Sequence, residues 1–109
     1  MIDRMAIAIV DGSQARGLLD ALREAGFRVT VIDAVGGFFH DAMVTLVVGL
    51  AQQRLESFLR LVEVHCPRRR RYVSLSVGPS TPPAAPMMIE ASVGGATIFV
   101  VPVERFVQL

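Results

Sequence analysis

Two stretches carry apolar residues at helical spacing, and each follows an apolar run of strand length. This pairing limits the fold more than any other feature of the sequence. The run 5–10 (MAIAIV) reads as a strand, and Asp11-Gly12-Ser13 stops it and supplies a helix cap. Ala15, Leu18, Leu19, Leu22 and Ala25 then recur on one side, with Gln14, Arg16, Asp20, Arg23 and Glu24 on the other, and Gly26 is placed to end the helix in a left-handed conformation. Residues 44–50 form a second apolar strand-like run. From Gln52 a second helix carries Leu55, Phe58, Leu59, Val62 and Cys66 on one stripe until Pro67 ends it. A helix with a single apolar stripe must bury it against another layer, so both helices are expected to cover a sheet.

Between these units Phe27, Val29 and Val31 alternate with Arg28 and Thr30, the pattern of a half-buried strand, with Arg28 and Thr30 on the same face. Gly36 and Gly37 break this pattern, and Phe38, Phe39, His40, Asp41 and Ala42 follow in a short loop, 36–44. Its paired aromatics make it a candidate site. After Pro67 come four arginines, Arg68, Arg69, Arg70 and Arg71, then 72–77 with strand propensity, then 78–86 with four of the six prolines. The span 67–86 therefore reads as a long loop with at most a short strand. Runs 87–93 and 96–103 are strand-like and meet at Gly94-Gly95, either as a tight hairpin or as one bent strand. The expected architecture is α+β, a single domain over 1–109 in a ferredoxin-like βαββαβ sandwich with a long loop before the last strands. Val47 lies on one face of its strand and Leu46 and Val48 on the other. With 52% hydrophobic residues in 109, the uncovered sheet face is expected to pack on other copies of the chain.

Charge and motifs narrow the function classes. All eleven cations are arginine and the formal net charge is +1, so any electrostatic site must be local. A nucleic-acid role through residues 68–71 lacks a recognition helix and a basic aromatic platform. The single cysteine excludes an internal disulfide or multi-cysteine zinc site and fits a reducing compartment, and no signal or membrane-spanning run is apparent, so a cytoplasmic location is expected. His65 and Cys66 are helix neighbours that point in different directions, and His40 and Asp41 have no companions at ligand spacing, so no metal site is expected. Without a catalytic triad, paired carboxylates, a Walker-type loop or a dinucleotide fingerprint, no enzyme is expected.

The stretch 93–106 (VGGATIFVVPVERF) closely resembles the end of the P-II-like proteins, and within them the cyclic-di-AMP receptor family. The first strand with Asp11, the stretch Gly26-Phe27-Arg28-Val29-Thr30, the Gly36-Gly37-Phe38-Phe39 loop and the second helix ending in Cys66 resemble the same family. The likeness spans nearly the whole chain and is weakest over 68–86. It implies a non-catalytic homotrimer that binds cyclic-di-AMP in clefts between subunits and relays it to a protein target, with ligand ordering the two loops. No cofactor is implied beyond that nucleotide, and no membrane or nucleic-acid partner.

Carried over by position, Arg28 and Thr30 stand where the family contacts base or phosphate. Gly36 and Gly37 let the backbone approach the ligand, and Phe38 and Phe39 line the purine pocket. Met43 and Thr45 stand where the family has the asparagine and the last threonine of a Gly-Asn-Thr-Thr run, and Gly49, Phe99 and Gln108 match positions near the ligand. Where the family commonly has Gly-Asn-Thr-Thr this chain has Ala42-Met43-Val44-Thr45, and an asparagine often seen before the Phe-Arg pair is Gly26. Each buried hydrogen-bond partner lost from such a site removes about 1–3 kcal/mol. Two further readings therefore stand beside the first: a P-II-like regulator of ATP, AMP or another ligand, and a trimeric interaction protein that has lost its ligand. The arginines 68–71 are either phosphate contacts or a solvated charge run, and Phe38 and Phe39 either ligand contacts or a plug at the trimer interface.

Overall fold

The computed structural model describes residues 1–33, 43–75 and 87–109. In chain order the elements are β1 (Arg4–Asp11), α1 (Gly12–Glu24), β2 (Arg28–Asp33), β3 (Met43–Leu50), a 3-10 turn (Gln52–Arg54), α2 (Leu55–His65), β4 (Arg68–Leu75), β5 (Met87–Gly94) and β6 (Ala96–Pro102). Four strands form one antiparallel sheet in the order β2-β3-β1-β6. Taking β6 as the fourth strand of the repeat, this is the ferredoxin-like βαββαβ arrangement, and both helices pack on one face of the sheet.

Local chemistry sets the boundaries of α1. The Asp11 carboxylate accepts from the Ser13 N–H and from the Ser13 hydroxyl, both at 2.8 Å, and caps the helix start. At the other end Gly26 sits at φ +85°. Its N–H donates to the Arg23 carbonyl and the Phe27 N–H to the Leu22 carbonyl, a paired closure that needs a left-handed residue at this point. α2 begins after the 3-10 turn rather than at Gln52, and it ends where Pro67 follows the buried Cys66.

The core is the layer between helices and sheet. Leu18 and Leu22 of α1 and Phe58 and Val62 of α2 bury against Ala6, Ala8 and Val10 of β1 and Leu46, Val48 and Leu50 of β3. Phe27 meets Phe58 edge-to-face with centroids 5.9 Å apart, while the Arg54 guanidinium lies 3.9 Å over the Phe27 ring and donates to the Ala25 carbonyl at 2.6 Å. The end of α1 and the start of α2 are thereby tied together.

Two expectations about the connections are corrected. The sequence pattern puts the short loop at 36–44, but Met43 and Val44 already pair with Asp11 and Val10 and belong to β3. It puts the long loop at 67–86, but 68–75 is strand. β4 pairs along its whole length with β5, Arg68 opposite Gly94 and Leu75 opposite Met87, in a separate two-stranded ribbon between α2 and the last strand. The arginine run is thus extended backbone rather than a loop flank.

Gly94 and Gly95, at φ +85° and +77°, turn the chain out of the ribbon and into the main sheet. Of the two forms open for this segment, the bent strand is the one seen: β5 pairs with β4 and β6 with β1. The base of the ribbon is fastened to α1. The Gln14 amide donates to the Pro67 carbonyl at 3.1 Å and Arg69 donates to the Ser13 hydroxyl at 3.1 Å.

A cleft on the open face of the sheet

Strand alternation and register put the helix-free face of the sheet in rows. Arg28, Gly49, Met5 and Val101 stand opposite one another in one row, Thr30, Val47, Ile7 and Phe99 in the next, and Ile32, Thr45, Ile9 and Thr97 in the third. Met43 follows Thr45 on the same face. Six residues expected in the site, Arg28, Thr30, Met43, Thr45, Gly49 and Phe99, therefore share one face of one sheet.

Fewer of them share one cavity. A cleft of about 470 Å³ opens at the β2–β3 side of this face, lined by Arg28, Thr30, Gly49 and Gln108 together with Ile2, Met5, Val29, Val47, Val103, Arg105, Phe106 and Val107. The tail after β6 forms its second wall. The Val103 N–H donates to the Asp3 carbonyl at 2.9 Å, and farther along the Arg28 guanidinium donates to the Gln108 side-chain oxygen. Gly49 forms part of the floor, where a Cβ would stand 3.2 Å from the Ile2 side chain and press on it.

Met43 and Thr45 lie farther along the strands and do not line the cleft. Phe99, 55% exposed, is in the same row as Thr30 but three strand spacings away, roughly 14 Å. Gly36, Gly37, Phe38 and Phe39 lie outside the described residues, as do His40, Asp41 and Ala42. Arg68 and Arg69 of β4 do not line this cleft. Arg69 is committed to Ser13 at the start of α1, and Arg68 lines a smaller cavity with Leu59, Cys66 and Ile98 on the helix-covered side of the sheet.

Among the described residues the electrostatics of the cleft are one-sided: Arg28 and Arg105 are the ionisable residues that line it, and no carboxylate does. A neighbouring cleft of about 620 Å³ shares both arginines but adds Asp3 and Glu104. Residue-by-residue reading of the sequence missed Arg105, Ile2 and Phe106, because strand and helix periodicity cannot place a tail beyond the last strand.

Among the described residues no three His, Cys, Asp or Glu side chains gather as a metal would require, and no helix is long and apolar enough to cross a membrane. Burial, reinforced by the charge of Asp11, pushes the Cys66 thiol above its ordinary range, so it sits in the core as a neutral group.

The family model for the cyclic-di-AMP receptor matches residues 3–109. The chain belongs to the cyclic-di-AMP receptor family. The family and the fold place it with P-II-like, nucleotide-binding signalling receptors. Among solved structures, a functionally unknown protein from Pediococcus pentosaceus is similar at 26% identity and a TM-score of 0.72, over 100% of this chain and 99% of that one. CPII from Thiomonas intermedia, solved with ADP, AMP and acetate, is similar in fold at 14% identity and a TM-score of 0.53, over 94% of this chain and 89% of that one.

Proposed function

We propose that this member of the cyclic-di-AMP receptor family binds cyclic-di-AMP as a cytoplasmic, non-catalytic homotrimer and passes the signal to a protein target. The carrying observation is that Arg28, Thr30, Gly49 and Gln108 line one open cleft that, among the described residues, holds two guanidiniums and no carboxylate. Such a cleft suits an anionic ligand with a flat apolar part: the guanidiniums fork onto phosphate oxygens, and Met5, Val47 and Phe106 offer surface to a base.

The spread of the remaining site residues favours a shared cleft. Phe99 is too far across its own sheet to reach a ligand at Thr30, whereas a second subunit packed on the exposed face brings another Phe99 to the rim. The apolar row of Met5, Ile7, Ile9 and Val47 is the surface such packing covers. Ligand binding then alters the surface offered to the target.

A second reading keeps the cleft but changes the nucleotide. Met43 stands on the open face, 47% exposed, where the family has a polar side chain, so ATP or AMP is the alternative ligand. Isothermal titration with cyclic-di-AMP, with ATP, AMP and cyclic-di-GMP as competitors, separates the two. Heat from cyclic-di-AMP that the others fail to displace supports the proposal. Binding of AMP or ATP alone moves the assignment to the second reading, and no binding by any nucleotide leaves an interaction protein that has lost its ligand.

A further inference from the structure

The two clefts beside the tail differ in a way that identifies a contact beyond the site residues that the family resemblance implies. Both include Arg28 and Arg105, but among the described residues the larger adds Asp3 and Glu104 and is charge-balanced, while the smaller holds the two guanidiniums alone. Asp3 is also held at the start of β1, where its carboxylate accepts the Gln52 N–H at 2.9 Å. An anionic group is therefore drawn to the smaller cleft.

Within that cleft the two arginines are in different states. Arg28 is engaged, donating to Gln108. Arg105 is exposed and, among the described residues, forms no hydrogen bond or ion pair, although it lies three residues before Gln108 on the same wall. A guanidinium that carries its charge into a cleft without an internal acceptor has all its donors available to a ligand.

We infer that Arg105 is a phosphate contact of this receptor, acting with Arg28 so that the cleft holds the ligand's anionic part between the tail and β2. The inference rests on the nucleotide-binding reading above. It also gives the tail a role in selecting the charge of the ligand, because the contact comes from the tail rather than from the sheet.

Arg105→Ala, Arg105→Lys and wild type are compared by isothermal titration with cyclic-di-AMP and with AMP, at low and at raised ionic strength. Circular dichroism verifies that each variant is folded, as expected for an exposed position. The alanine variant should bind at least roughly tenfold more weakly, the lysine variant should fall between, and the salt dependence of the wild type should flatten in the alanine variant. Affinity equal to wild type, or a loss with unchanged salt dependence, overturns the role of Arg105 while leaving the receptor reading intact. Failure of the wild type to bind either nucleotide removes the receptor reading and this inference with it.

Discussion

Replacing Gly94 or Gly95 by alanine distinguishes backbone strain from a steric lock at the base of the ribbon. Both glycines have positive φ, which disfavours an L-residue by roughly 1–2 kcal/mol, while the stiffer unfolded chain returns about 0.4–1 kcal/mol. At Gly95 that is the whole account: a new Cβ would lie 3.4 Å from the Arg68 Nε, the end of a flexible side chain, so Gly95→Ala should destabilise by no more than about 1.6 kcal/mol. At Gly94 the Cβ would lie 2.5 Å from the Pro67 carbonyl oxygen and 3.0 Å from the Gln14 side chain. That carbonyl can move only by giving up its hydrogen bond from Gln14, worth roughly 0.5–1.5 kcal/mol. Gly94→Ala should therefore be the less stable variant by about 1 kcal/mol. Urea denaturation followed by circular dichroism measures the difference, and hydrogen exchange should show the added opening in β4 and β5. Equal stability, or a more stable Gly94→Ala, would refute the lock formed by Pro67 and Gln14.

Three further outcomes follow from the same structure. Arg28→Ala should weaken nucleotide binding roughly 10–100-fold, the range for one charge-assisted hydrogen bond, with only a small drop in urea midpoint because the bond to Gln108 that it removes is exposed; titration calorimetry and denaturation together test it. Gly49→Val should abolish or strongly reduce binding by filling the cleft floor against Ile2, and a variant that binds normally would exclude the floor from the site. The folded-state pKa of Cys66 is raised, so above the unfolded thiol's value of about 8.5 the unfolded chain loses a proton that the folded chain keeps. Stability should therefore fall as pH rises past that point, and Cys66→Ala should remove this slope in urea midpoints measured across the alkaline range.

The layers of the fold were readable because periodicity reports burial. Leu18 and Leu22, Phe58 and Val62, and Leu46 and Val48 are the buried residues that the two helical stripes and the third strand announce. The ribbon was not readable. Its arginines carry no apolar alternation, and the nearby prolines argue for a loop, while strand pairing between β4 and β5 depends on a partner about twenty residues away in sequence rather than on local pattern. The candidate site was legible in part for the same reason. Arg28 and Thr30 are set by alternation within one strand, but Arg105 belongs to a tail whose path depends on the Asp3–Val103 hydrogen bond and on Gln108 reaching Arg28. The separation of Phe99 from Thr30 likewise comes from strand order, which a linear motif does not carry.

The most direct test of the central claim is a crystal structure of the protein grown with cyclic-di-AMP. The nucleotide is expected over Gly49, between Arg28 and Thr30 of β2 and the Arg105 to Gln108 wall, with Phe99 of a neighbouring subunit at the rim of the same cleft. A nucleotide lodged instead along the arginines of β4, or between Asp3 and Glu104, would contradict the account.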